Sequence, residues 1–219
     1  PPIDTVYTEN FDGTLGADSI AANYNTDSTN ATRSWNDTSY IKTTGNASFH
    51  TQIYANDSIV FETDAFTTVT YTNVRLTFDQ ICKIRYIQKA FIQMSRDNGA
   101  TWVNLTSTHY QGGSPQFSSQ GWFNELSYPS QLLTPYWYGP TIGNSNTGTG
   151  PTPTTASDWW ARETFDLSSY LGTYDNTNSQ YGYTNCKLRF IMSNKTGTPS
   201  PSALEGWFVD NLMVEGAPC

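Results

Sequence analysis

The acids at the two ends of the chain stand where a carboxylate is costly. In the closing strand-like stretch, residues 206–215, strict alternation puts Phe208, Asp210, Leu212 and Val214 on one face, and near the start Glu9 shares a face with Tyr7 and Phe11. A carboxylate among apolar side chains needs a cation or hydrogen-bond donors to replace the water it loses. Hard oxygens of this kind suit Ca²⁺, which takes about six to eight oxygen ligands from carboxylates, carbonyls and water. The spacing therefore predicts a structural Ca²⁺ that joins Glu9 to Asp210, with Asp12 and Asp37 as further candidate ligands. The alternative reading is a set of solvated or turn-capping acids, since Asp before Gly, as in Asp12-Gly13, commonly shapes a turn.

Other chemistries lack their signatures. The chain has no Gly-x-Ser-x-Gly elbow, no His-Glu-x-x-His and no Gly-rich phosphate loop ending in Lys. A glycosidase needs only two carboxylates, and Asp158, Glu163, Glu205 and Asp210 could supply a pair. Acids are common on an acidic chain, however, so no catalytic residue is assigned and a non-enzyme is expected. Zinc is disfavoured by three cysteines without Cys-x-x-Cys spacing and by only two histidines, His50 and His109. Cys82 and Cys186 lie in apolar, strand-like contexts and read either as a disulfide pair or as buried thiols, while Cys219 follows the last strand.

Aromatic side chains offer the other route to function. Residues 111–158 interrupt the strand rhythm with Gly-, Pro-, Asn- and Thr-rich stretches that carry Trp122, Phe123, Tyr128, Tyr136, Trp137 and Tyr138. Unstructured loops of this length are usually functional or disordered. Trp122, Tyr136, Trp137 and Tyr138 are the candidate ligand-binding residues, by stacking on sugar faces or anchoring in a partner protein. Equally, the rings could fold back as a lid over one sheet.

These residues must be held by strands. Residues 58–61, 74–78, 90–95, 101–105, 188–192 and the closing stretch are short, β-branched or aromatic, and bounded by Gly, Asn, Asp and Pro. Helical periodicity is missing except for one turn near residues 167–171. Ser95-Arg96-Asp97-Asn98-Gly99-Ala100-Thr101-Trp102 reads as a tight hairpin, with Asn-Gly supplying positive φ and Trp102 returning to the core. It fits the Asp-box pattern of sialidase propellers and reelin-type modules, but a single copy without a blade repeat does not make a propeller. The expected fold is all-β: a two-sheet antiparallel β-sandwich of jelly-roll type, one domain over residues 1–219, with one long loop insertion.

The totals agree. A chain of 219 residues with 37% hydrophobic, 15% aromatic and only 14% charged residues can build a core under a Thr-, Ser- and Asn-rich surface. A net charge of -8 argues against nucleic acid, whose phosphates are bound by Lys and Arg. No apolar run approaches the roughly 20 residues that span a bilayer, so no membrane insertion is expected. Pro1-Pro2 and residues 216–219 read as linker ends, which predicts a fragment of a larger multidomain protein with neighbouring domains as partners.

In order along the chain, residues 7–13 (YTENFDG), 76–84 (LTFDQICKI), 94–102 (MSRDNGATW), 159–168 (WWARETFDLS) and 206–211 (GWFVDN) resemble the MAM-like jelly-roll modules of secreted Bacteroidota proteins. The similarity extends to type IX-secreted gliding or adhesion proteins and to the cleaved-adhesin domains of gingipain-like proteases. It implies a non-catalytic, extracellular or cell-surface adhesion module that binds a glycan or surface protein, or else a spacer or accessory domain of a secreted hydrolase. It also implies a structural Ca²⁺ near the terminal strands, for which Glu9 and Asp210 match best. Glycosylation in that phylum falls on Asp-Ser/Thr motifs, which makes Thr5, Ser19, Ser28 and Ser58 candidate O-glycan sites. The long aromatic insertion departs from the minimal family pattern.

Overall fold

The structure is a computed structural model that describes residues 2–13, 20–26, 33–39, 41–52, 56–127, 160–194 and 206–219. Strands β1 (Asp4–Glu9), β2 (Ile20–Asn25), β3 (Asn36–Thr38), β4 (Ser48–Thr51), β5 (Ser58–Thr63), β6 (Tyr71–Lys83), β7 (Lys89–Ser95) and β8 (Val103–Asn104) precede two short helical elements. These are α1 (Pro115–Gln120) and a 3-10 turn (Glu125–Ser127). Then follow β9 (Ala161–Asp166), α2 (Ser168–Leu171), the small hairpin β10 (Tyr174–Asp175) and β11 (Gln180–Tyr181), β12 (Lys187–Ser193) and β13 (Gly206–Pro218).

Two antiparallel sheets face each other. One runs β3-β4-β13-β6-β9, with β1 also paired to β13, and the other runs β2-β5-β12-β7-β8. The expected sandwich is the observed one. Alternation explains how it closes: Ile59 and Phe61 of β5, Ala90, Ile92 and Met94 of β7, and Leu188, Phe190 and Met192 of β12 all enter one core. Phe61 stacks on Phe190 at 4.6 Å, and Trp35 meets Phe61 edge-on at 4.7 Å. Each fully buried ring contributes on the order of 1.5–3 kcal/mol over its exposed state.

Strand β13 departs from simple alternation. Trp207 and Val209 join the main core together with Leu212 and Val214, whereas Phe208 packs on the other face with Ile41 and Ile81. The pairing with β6 shifts between Asp210 and Met213, where Asn211 takes φ 48°. This β-bulge inserts one residue and reverses parity. Asp210 therefore sits on Phe208's face, not on that of Leu212 and Val214 as alternation alone predicts.

The segment from residue 111 is also only partly the surface loop expected. Ser114 caps α1 by accepting from the Phe117 N–H, Pro115 opens the helix, and Gly121 ends it. Phe117 and Phe123 are fully buried, and Phe123 bridges to Ala90 on the edge of β7. Up to residue 127 the insertion plugs the sandwich; residues 128–159 lie outside the described residues.

Cys82 and Cys186 are both free and buried. Cys186 hydrogen-bonds near Thr68, just before β6 begins, while Cys82 lies near the far end of β6. Strand length alone separates them well beyond disulfide reach.

Candidate functional site

The outward face of the five-stranded sheet carries three rows of side chains in register. Tyr24, Val60, Ile191 and Phe91 form one row across β2, β5, β12 and β7. On one side of it lie Glu62, Arg189, Gln93 and Asn104, and on the other Ser58, Ser193 and Lys89. They alternate with the core residues of the same strands, which is why each faces out. Together with Thr26 and Ile87 these rows, apart from the flanking Glu62 and Asn104, line a groove of about 530 Å³.

Its polar strip is held in place. The Arg189 Nε–H donates to Gln93 Oε1 at 2.5 Å, and Gln93 Nε2 donates to Asn104 Oδ1 at 2.6 Å. The Arg189 guanidinium lies 4.2 Å over the Trp102 ring, and its Nη1 stands 4.0 Å from Glu62 Oε1. Tyr24 Oη donates to Glu62 Oε1 at 3.1 Å; burial first, then Glu62, push the Tyr24 phenol up. Trp102 thus does not return to the core as expected: it is half-buried and stacks beneath Arg189 outside the sheet. The hairpin itself forms as read, with Asn98 at φ 57° and Gly99 at φ 87°. At the groove rim, Lys89 Nζ sits 3.9 Å over the ring of Trp122.

Of the aromatic residues singled out in the sequence, Trp122 therefore reaches this groove, while Tyr136, Trp137 and Tyr138 lie outside the described residues. Thr5 is exposed on β1, whereas Ser58 is only 7% exposed and lines the groove floor. A glycan on Ser58 would have to displace its neighbours. Ser19 and Ser28 lie outside the described residues.

The strands that carry the terminal acids meet at a seam. Along one edge β13 is paired first by β4, at Trp207–Val209, and then by β1, up to Glu9 opposite Leu212. The changeover falls at Asp210 and Asn211, and residues 41–47 fill it. Asp210 Oδ2 accepts from the Thr43 N–H at 2.8 Å and its hydroxyl at 2.7 Å, while Oδ1 accepts from the Asn211 N–H at 2.8 Å. Asp12 Oδ1 accepts from the N–H groups of Asn46 and Ala47, and Glu9 Oε1 from the Phe11 N–H at 2.6 Å. Burial raises the Asp210 carboxyl, and the Thr43 bonds oppose that rise. Asp37 instead stands in β3 opposite Phe49, across β4 and away from the seam.

Of the four candidate metal ligands, Asp12 and Asp210 are thus tied to the same 41–47 loop and Glu9 stands on the adjoining strand β1; all three offer hard oxygens. As arranged, Oδ1 of Asp12 and Oδ2 of Asp210 each already accept two donors from the 41–47 loop. Among the described residues no three Asp, Glu, His or Cys side chains converge as an ion cage. The geometry is that of a hydrogen-bonded clasp. Glu163, considered above as an acid for catalysis, is buried among Gln80, Tyr110 and the loop after it, with Oε1 3.0 Å from Gln80 Nε2 and Oε2 2.7 Å from Tyr110 Oη. Asp158 and Glu205 lie outside the described residues.

The groove residues Tyr24, Phe91, Gln93 and Arg189 were not singled out from the sequence. The available signal was an aromatic and a long polar side chain, Phe91 and Gln93, at the outward positions of a strand whose other residues are core.

No protein-family model matches the chain, and no curated protein matches it. Solved structures do. The K2 cleaved adhesin domain of Lys-gingipain aligns at 10% identity over 96% of this chain and 98% of that one, with TM-score 0.49. The K1 cleaved adhesin domain of Lys-gingipain from Porphyromonas gingivalis gives 10% identity over 98% and 99%, with TM-score 0.46. The CBM22-1 xylan-binding domain from Paenibacillus barcinonensis gives 8% identity over 99% and 96%, with TM-score 0.43. The chain is thus similar to adhesin domains and carbohydrate-binding modules.

Proposed function

We propose that this domain is a non-catalytic glycan-binding module that seats a carbohydrate chain in the groove on the outward face of β2-β5-β12-β7-β8. The observation that supports the reading is the pairing of aromatic surface with a fixed polar strip. Phe91 and Tyr24 offer ring faces to the C–H faces of sugars, and Arg189, Gln93 and Asn104 are already oriented by one another to meet hydroxyl groups. Preorganisation of this kind lowers the entropy lost on binding. Trp122 extends the groove at its rim, and Tyr136, Trp137 and Tyr138 are proposed to add contacts from the neighbouring segment.

A glycan array followed by calorimetry tests this. Phe91→Ala should weaken binding of the best array ligand by about tenfold, and unchanged affinity in a Phe91→Ala, Gln93→Ala variant would remove the groove from consideration. A Trp137→Ala, Tyr138→Ala variant measures the contribution of that segment.

We propose in addition that the module works outside the cell, on a bacterial surface, within a larger polypeptide. The low charged fraction and polar-neutral surface support that placement. Among the described residues no helix is long and apolar enough to cross a membrane. Surface proteolysis of the source cells checks the placement, and an intact mass equal to the bare polypeptide would remove the O-glycan on Thr5.

Ca²⁺ at the β1–β13–β4 seam is the accompanying structural proposal, with Glu9, Asp12 and Asp210 as its protein ligands. The hard-oxygen chemistry of the three acids and the hold of Asp12 and Asp210 on one loop support it. An ion bound only by the native state raises the melting temperature by mass action. Chelator should lower the midpoint and Asp210→Ala should abolish that response; a midpoint indifferent to both chelator and added Ca²⁺ sinks the proposal.

A further inference from the structure

The groove carries positive charge on an acidic chain. Among its described residues it carries two cations, Lys89 and Arg189, against one acid, Glu62, in the flanking row, although the chain as a whole has net charge -8. Lys89 forms no ion pair among the described residues, and its ammonium is held over Trp122 instead. Arg189 is the second cation, with Glu62 beside it at 4.0 Å as a partial counter-charge. Glu62 is itself turned toward Tyr24 by the hydrogen bond from that phenol.

The two cations flank the apolar row from opposite sides. Lys89 precedes Phe91 by two residues on β7, in register with Ser193 and Ser58, while Arg189 precedes Ile191 by two residues on the antiparallel neighbour β12, in register with Gln93. The cation beside Phe91 therefore lies on one side of the row and the cation beside Ile191 on the other. Adjacent strands are about 4.8 Å apart, close to the rise of one pyranose in an extended 1,4-linked chain. In a β-1,4 chain with two-fold alternation, successive C6 groups project to alternate sides. A chain lying along Tyr24, Val60, Ile191 and Phe91 would thus aim one C6 substituent at Lys89 and the next at Arg189.

Resting on the glycan-binding reading, we infer that the preferred ligand is an acidic polysaccharide with carboxylates at C6, a β-1,4-linked uronan, whose alternate carboxylates pair with Lys89 and Arg189. Arg189 offers a planar fork that suits a carboxylate, and Lys89 offers a point charge preset by the Trp122 ring. Neutral chains of the same linkage fill the same floor without these pairs.

The probes are hexamers of β-1,4-linked mannuronate and of β-1,4-linked mannose, titrated into the 219-residue protein at low and raised salt. The mannuronate hexamer should bind about tenfold more tightly at low salt, the worth of one charge-assisted hydrogen bond, and the advantage should shrink as salt screens it. Lys89→Gln should remove most of that advantage, weakening the mannuronate hexamer several-fold more than the neutral one, and Lys89→Arg should restore it. Equal affinity for the two hexamers, or equal loss of both in Lys89→Gln, overturns the inference while leaving the groove reading intact. Binding of neither hexamer overturns it too, and array-wide silence then removes the glycan-binding reading as well.

Discussion

Tyr110 satisfies two buried groups with one oxygen. Its hydroxyl donates to Glu163 Oε2 at 2.7 Å and accepts from the Ser114 N–H at 2.6 Å, at the end of a chain in which Trp207 Nε1 donates to Gln80 Oε1 at 2.6 Å and Gln80 Nε2 to Glu163 Oε1. Burial, then the Glu163 charge, drive the phenol's pKa far upward, so it remains a donor at any ordinary pH. Tyr110→Phe keeps the ring packing against Phe117 and Phe165 but removes the donor to Glu163 Oε2 and the acceptor of the Ser114 N–H. The expected loss is about 1–3 kcal/mol by urea denaturation, and a loss within error of zero would mean that water replaces the hydroxyl. Two aspartates respond to acid with opposite signs. The Thr101 hydroxyl and N–H hold Asp97 down at about 2 from 3.8, so its contribution is complete above the ordinary value and fades as pH falls through 2. Asp210, raised by burial, contributes most below its ordinary value and loses that contribution as pH rises through its folded value. Asp97→Asn should therefore flatten the fall in urea midpoint between pH 4 and about 2, and an unchanged slope would remove Asp97 as its source.

At the scale of elements, the seam between β1 and β4 depends on one glycine. Gly45 has φ 68°, and a Cβ there would meet the Asp12 carboxylate at about 2.0 Å, on the loop that Asp12 and Asp210 hold. Gly45→Ala thus strains the backbone and breaks the clasp together. It should cost about 1–3 kcal/mol, and hydrogen exchange should quicken first at the Asn46 and Ala47 amides. A global loss without local opening there would contradict this account. These elements were unequally legible in the sequence. The strands could be read because their buried residues alternate, as in Leu188, Phe190 and Met192, and the turn near residue 168 was read as well. The β13 bulge could not be read, because its cause is a change of partner strand, information that a single strand does not contain. The groove stayed hidden for a related reason: Tyr24, Phe91 and Arg189 become neighbours only through the register of four strands. Helix α1 is a different matter, since Ser114-Pro115 followed by Gly121 is a local start and stop signal that the Gly- and Pro-rich context obscured.

For the whole molecule, the question is what holds two sheets together without a covalent staple. A chain of this length buries enough of its surface to be stable without one, and its core runs unbroken from Tyr7 through Trp35 and Phe190 to Trp207 and Phe123. Cys82 and Cys186 belong to that core as small apolar side chains at opposite ends of β6. Burial, then the Glu163 charge, hold the Cys82 thiol well above its ordinary value, and burial lifts Cys186 to about 11. Neither is a nucleophile in the folded state. Cys219 is exposed, with its Sγ 3.1 Å from the Thr70 carbonyl oxygen. Reaction of the monomeric protein with an aromatic disulfide reagent should therefore release one equivalent quickly from the native fold, and all three only after denaturation without reductant. The melting temperature should be the same with and without reductant, because no cross-link constrains the unfolded chain. A single reactive thiol after non-reducing denaturation, with a midpoint that falls on reduction, would show that Cys82 and Cys186 are joined and that the sheets are positioned differently from the arrangement described.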